Sequence, residues 1–167
     1  MTVGSPAETD LLLELSLEDK ISLLTGADYW SLHGHPGIGL RSIRTSDGSA
    51  GVRRPRWDER DTALNVPAPV ALAATWDPRR AELIGSLRAA ESGRKEVDVL
   101  LAPTVNLQRS PLGGRNFEFL GEDPLLTATM GTALVRGIGL NPRMGRKNAR
   151  TVAVGAVTPT VRTAPCV

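Results

Sequence analysis

At 167 residues and 41% hydrophobic the chain is long enough to bury a core, and length alone suggests one domain. Its single cysteine, Cys166, excludes an intrachain disulfide and a zinc cluster of thiolates, and reads as an incidental terminal thiol. The net charge of +2 hides an asymmetry: all 18 acidic residues lie at or before Asp123, while six of the 20 basic ones follow it, so residues 1–123 carry −4 and the last 44 carry +6. That basic end lacks aromatic residues for base stacking and lacks amphipathic periodicity, so nucleic-acid binding is not expected. No 18 consecutive apolar residues occur, and MTVGSPAETD has neither a basic n-region nor an apolar h-region. The expected state is soluble and cytoplasmic, with no membrane partner.

In chain order, Ser5, Pro6 and Glu8 have the form of a capping box with proline at the first helical position, predicting a helix over about residues 6–14. Ser16 caps a second helix, with Leu17, Ile21 and Leu24 on one face and Gly26 as its stop. Residues 26–40 form a glycine-rich connector. His33 and His35, the two histidines of the chain, lie there without a nearby carboxylate cluster, so a hydrogen-bonded loop is favoured over a metal site. Trp30 fits core packing better than a sugar platform. Ser42 to Ser46 alternates as a strand does and ends at Asp47-Gly48. By itself Asp47 reads as a turn or cap aspartate.

Residues 53–61 read as a charged, solvated loop, and a short buried strand is expected near Val70 to Ala73. Asp77-Pro78 opens a helix running to about Arg94, with Leu83, Leu87 and Ala90 on its core face. The apolar run Val97 to Leu101 predicts a buried strand, giving the order of a parallel α/β sheet. After it comes the loop PTVNLQRSPLGGRNFEFLGEDP, residues 103–124, at the carboxyl end of that strand. In α/β folds and barrels this is where ligand chemistry is placed. Gly113 and Gly114 are expected to turn the backbone sharply ahead of Arg115, whose five-donor planar fork suits vicinal hydroxyls. A salt bridge to Glu118 or Glu122 is the alternative use of Arg115. Glu118, Glu122 and Asp123 orient the loop and cap a helix over about 124–138, with Leu126, Met130, Ala133 and Gly137 on one face.

This loop resembles glycoside hydrolase family 3, the β-glucosidase-like exo-glycosidases. The likeness lies in Asn106 to Pro111, Gly114 to Glu118 and Glu122 to Pro124. Ser46-Asp47-Gly48, Gly51-Val52-Arg53, and the run from Val66 to Asp77 are similar to the same family, so the resemblance covers roughly residues 15–139. It implies an incomplete (β/α)8 barrel, the N-terminal portion only, because such a barrel needs about 250 residues. It also implies substrate-binding roles for Asp47 and Arg115 at the sugar in subsite −1, with a β-linked glucoside or related sugar as substrate and no cofactor. Ser49 departs from the family's common proline and is expected to loosen the turn.

Residues 1–139 are therefore read as the barrel portion and 140–167 as an atypical basic tail, frameshifted or disordered, in which Thr151 to Val157 has the pattern of an apolar strand. A retaining glycosidase needs two carboxylates about 5 Å apart. By resemblance the nucleophile lies on a later strand and the acid/base beyond the barrel, and no residue here matches either. Three readings follow: an N-terminal fragment of a hydrolase, inactive alone; a non-catalytic carbohydrate-binding pseudoenzyme; or a piece that assembles with a separately encoded remainder. The early motifs are shared by β-glucosidases and β-xylosidases, so they leave the sugar open.

Overall fold

The computed structural model describes residues 6–53, 58, 60–139 and 152–153. Three parallel strands, β1 (Thr45–Asp47), β2 (Val99–Leu101) and β3 (Val152–Ala153), lie side by side in chain order. Thr45 stands opposite Val99, Asp47 opposite Leu101 and Leu100 opposite Ala153. The helix before β2 is α4 (Pro78–Arg94), and α5 (Pro124–Gly139) precedes β3. Ahead of these come α1 (Pro6–Leu13), α2 (Leu17–Leu23) and α3 (Pro69–Ala73). This is a partial α/β barrel. Of the strand expected within residues 151–157, Val152–Ala153 is described. Cys166 and the rest of the tail lie outside the described residues.

Capping chemistry fixes where the two long helices begin. The Asp77 carboxylate accepts the Arg79 N–H at 3.0 Å with Pro78 at the first helical position, and Asp123 Oδ1 accepts the Leu126 N–H at 2.6 Å ahead of α5. On α5 the expected face is buried: Met130, Ala133 and Gly137 point inward with Leu134 and Ile138. One core cluster joins Leu72, Ala81, Leu120, Met130 and Leu134; a second, Val52, Val97, Leu100, Ala102 and Ile138, packs about the sheet.

On α4 the expected face is wrong. Leu83 and Leu87 are 61% and 40% exposed, Ala90 is exposed, and the buried positions are Ala81, Gly85, Arg88, Ala89 and Ser92. The reason is the neighbour. A Cβ on Gly85 would strike the Leu134 carbonyl, and one on Gly137 would strike the Glu82 carbonyl, so the two helices cross almost backbone to backbone. Leucines do not fit such a crossing, and they turn outward.

Other expectations are corrected by local geometry. Residues Pro69–Ala73 form α3 rather than a strand, because proline at the first helical position sets φ for a helix and the alanines favour one. Leu17, Ile21 and Leu24 are exposed rather than buried among the described residues. The Ser16 capping box is present, but α2 stops at the Leu24 cap rather than at Gly26, which bridges to Leu32. Trp30 is buried and meets Tyr29 edge to face at 5.0 Å, as core packing requires. The charged loop is not wholly solvated: Asp61 lies 3.7 Å from Nζ of Lys95, whose side chain is buried.

At the amino ends of β1 and β2, Arg41 grips Asp98 with both guanidinium nitrogens, at 2.7 and 2.5 Å, and the Arg44 N–H adds a third bond at 2.9 Å. Burial pushes the Asp98 carboxyl up, yet these donors and their charges hold it below its usual range. The sign follows directly. A carboxylate with a depressed folded pKa contributes stability that is full above the usual value of about 3.9 and is lost as pH falls through the folded value.

Two predictions follow from this packing. Asp98→Asn is expected to flatten the acid limb of a stability-versus-pH curve below about pH 4, measured by urea titration at stepped pH. An unchanged acid limb would show that the clamp contributes nothing. Gly137→Ala should destabilise the chain by about 1–3 kcal/mol through overpacking, whereas Gly139→Ala, with open space at its Cβ, should change it little. Equal midpoints for the two variants in thermal unfolding would show that the crossing is not tight.

Candidate functional site

Asp47 is the last residue of β1, and its register partner Leu101 is the last of β2, so the loops that follow both strands emerge together at the carboxyl edge. Between them lies a cleft of about 630 Å³, within the range of small-ligand pockets. Asp47 and Arg115 both line it, with Arg53, Asn65, Thr104, Phe117 and Glu118. A second cavity of similar size, about 620 Å³, runs between Pro103, Val105 and Leu107 and the outer face of α5. It contains no carboxylate.

The Asp47 loop is tied into a closed turn. The Arg53 N–H donates to the Asp47 carbonyl at 3.1 Å, and the Ser46 hydroxyl donates to the Arg53 carbonyl. Val66 N–H binds the Ala50 carbonyl at 2.9 Å. Ser49 does not loosen this turn: its hydroxyl lies 3.0 Å from that of Thr104, joining the Asp47 loop to the one after β2. From beneath, Nη2 of Arg88 donates to the Ser49 carbonyl. Arg88 is 1% exposed, and its Nε and Nη1 have no hydrogen-bond partner among the described residues. Burial alone pulls its pKa down to about 10, so it remains charged at neutral pH. Gly48 is needed where it stands, since a Cβ there would run into the Leu100 side chain.

On the other side, Arg115 makes a two-pronged salt bridge to Glu118, Nε to Oε1 at 2.8 Å and Nη2 to Oε2 at 2.6 Å. Both uses foreseen for Arg115 are thus compatible in space: it pairs with Glu118 and still lines the cleft beside Asp47. The Glu118 bond, against a small opposing effect of burial, and the Asp47 charge raise its pKa further above the usual value. The bridge spans a short 3-10 helix, Asn116–Glu118, also held by Asn116 Nδ2 on the Ser110 carbonyl at 2.8 Å and Gln108 Nε2 on the Asn116 carbonyl at 2.7 Å. Gly113 is required by the close approach of the Asn116 side chain. Gly114 meets nothing, and neither glycine has a positive φ; the expected turn is present, closed by the Asn116 N–H on the Gly113 carbonyl at 3.3 Å with Gly114 and Arg115 at its centre.

Sequence reasoning did not single out Arg53, Asn65 or Phe117 as cleft residues. Arg53 lay within a quoted motif, six residues after Asp47, and could have been found there; Asn65 had no signal. Among the described residues, no group of three or more His, Cys, Asp or Glu side chains is gathered for a metal, and no helix is long and apolar enough to cross a membrane. His35 instead places Nε2 3.5 Å from Asp19 Oδ1.

The model of the glycosyl hydrolase family 3 N-terminal domain matches residues 37–153. The chain belongs to glycosyl hydrolase family 3. The match runs past Gly139, where the motifs legible in the sequence stop, and takes in β3. The chain is 43% identical over 134 residues to β-glucosidase B of Emericella nidulans, covering 80% of this chain and 16% of that protein. It is 41% identical over 136 residues to the probable β-glucosidase J of Neosartorya fischeri, covering 81% and 16%. Among solved structures it superposes on the β-glucosidase of Kluyveromyces marxianus in complex with glucose with a TM-score of 0.73 at 38% identity, over 78% of this chain and 16% of that one. For β-glucosidase 3B of Thermotoga neapolitana in complex with glucose the TM-score is 0.69 at 33% identity, over 78% and 21%. The chain therefore spans about a sixth of the length of the relatives it matches.

The anchoring of the Asp47 loop gives a prediction. Arg88→Met, which exchanges a buried charge for an apolar side chain, should leave global stability unchanged within about 1 kcal/mol or raise it. The amide of Arg53 should nevertheless exchange with solvent at least about tenfold faster, because the loop has lost its anchor. Unaltered exchange at Arg53 in a folded variant would mean that Arg88 does not hold the loop.

Proposed function

We propose that this family 3 chain forms part of the sugar-binding wall of a β-glucosidase-like hydrolase. In this reading Asp47 accepts hydrogen bonds from substrate hydroxyls and Arg115 donates to them. The observation that carries the reading is the convergence of these two side chains, from loops after neighbouring parallel strands, on one cleft. Glu118 holds one edge of the Arg115 guanidinium and leaves the Nη1 edge for a ligand, an arrangement in which the donor is oriented before the sugar arrives. The glucose complexes of the Kluyveromyces and Thermotoga enzymes support a glucoside as the ligand class.

Hydrolysis belongs to a larger assembly in this proposal. The wall orients hydroxyls, and of the two carboxylates that break a glycosidic bond the nucleophile comes from a later strand of the barrel and the acid/base from beyond it, in the same polypeptide or supplied separately. A shifted reading frame in the basic tail belongs to the same proposal, narrowed by the family match to the stretch after residue 153. Translating the encoding DNA in all three frames tests it by the presence or absence of further family motifs.

The chain alone is expected to release no nitrophenol from p-nitrophenyl β-D-glucoside, and to bind glucose measurably in calorimetry. Asp47→Asn and Arg115→Lys should each weaken that binding by roughly ten- to a hundredfold, the value of a hydrogen bond to a charged group. Flat titrations of a folded chain with both glucose and cellobiose would overturn the binding role.

A further inference from the structure

The cleft contains one feature that its hydrogen-bonding groups do not explain. Phe117 is 52% exposed and lines the cleft beside Arg115, whereas Leu120, three residues on, is fully in the core. It is the aromatic ring among the cleft-lining residues; Trp30, the other aromatic weighed for such a role, is buried against Tyr29 away from the cleft. A large apolar ring left half in water loses the benefit of burial unless something covers it. The short helix that carries it is nonetheless held at both ends, by the Arg115–Glu118 bridge and by the bonds of Asn116 to Ser110 and Gln108. The ring is therefore presented on a stiff support with charged hydroxyl-binding groups beside it.

A pyranose has two kinds of surface. Its hydroxyl edge needs donors and acceptors, and its ring faces present C–H groups that pack on an aromatic π-face. In a β-glucoside every substituent is equatorial, so H1, H3 and H5 stand axially on one face and form a continuous apolar patch. The C3 epimer, a β-alloside, differs in one place: its axial O3 stands on that same face and breaks the apolar patch. Ligand pockets commonly combine an apolar platform with a few placed polar groups, and Asp47, Arg115 and Phe117 supply both.

We propose that Phe117 is the stacking platform of this cleft and a determinant of sugar specificity, packing on the axial C–H face of a β-glucopyranoside while Asp47 and Arg115 take its hydroxyls. The proposal rests on the sugar-binding reading above and adds to it the face that is recognised and the epimer that is favoured. A β-glucoside binds more tightly than the matching β-alloside, and the preference is lost with the ring.

The test is saturation-transfer difference NMR and titration of the full chain with methyl β-D-glucopyranoside and methyl β-D-allopyranoside. Transfer is expected to be strongest at H1, H3 and H5 of the glucoside. Phe117→Leu, which keeps apolar bulk without a ring, should weaken glucoside binding about tenfold and erase the preference over the alloside, and Phe117→Trp should restore both. Circular dichroism establishes that each variant is folded; Phe117→Met replaces Phe117→Leu, and Phe117→Tyr replaces Phe117→Trp, where either is not. Wild-type affinity and preference in Phe117→Leu, with binding lost in Asp47→Asn, would overturn the platform and leave the sugar-binding reading standing. Absence of transfer from the wild-type chain to either sugar would overturn both.

Discussion

Everything described here hangs on the approach of α4 to α5. Gly85 and Gly137 have no side chain to hold the helices apart, and each sits where a Cβ would meet a carbonyl of the other helix. The Ser86 hydroxyl, 3.3 Å from the Gly137 carbonyl, closes the same contact. Because α4 precedes β2 and α5 precedes β3, that crossing sets how the βαβ units stack. It also decides which residues are left for the core: with small residues at the crossing, apolar burial falls to Leu100, Leu120, Met130, Leu134 and Ile138. A wider helix spacing would change the position of α4 beneath the sheet, and with it the reach of Arg88 to the Asp47 loop.

That dependence explains what the sequence made legible and what it hid. Periodicity and capping placed the helices well, because Asp77-Pro78 and Asp123-Pro124 act within a few residues of themselves. The face of α4 was misread because hydrophobic periodicity assumes that large apolar side chains point inward, and a backbone-to-backbone crossing reverses that. The segment Pro69–Ala73 was misread for a related reason: four apolar residues in a row fit a strand or a helix equally, and the proline ahead of them decided it. Asp47 and Arg115 were legible only through family likeness. Nothing in a single sequence states that residues 47 and 115 meet; the register of Asp47 with Leu101 does that.

Charge plays two different parts in this chain. At the amino ends of the strands the Arg41–Asp98 clamp neutralises both partners, with the backbone of Arg44 taking the remaining capacity. At the carboxyl ends the pairing is less complete: Arg115 is bridged to Glu118, but Asp47 is exposed on the cleft, and Arg88 lies beneath it with two nitrogens that have no partner among the described residues. A fold gains stability by pairing such groups, and leaving them unpaired at this edge supports the ligand-binding role proposed for it. The barrel rule that sites lie at the carboxyl ends of strands has here a visible electrostatic counterpart.

In the proposed reading of the cleft, binding is separate from bond breaking. The donors, acceptors and apolar face that orient hydroxyls in it come from the loops after two adjacent strands, which fold against each other through Ser49 and Thr104. Cleavage needs a nucleophile and an acid on opposite sides of the glycosidic bond. Two neighbouring loops approach a ring from one side. In that reading the two carboxylates must both come from outside this wall, the nucleophile from a later strand and the acid/base from beyond the barrel, so that no single loop makes the site complete.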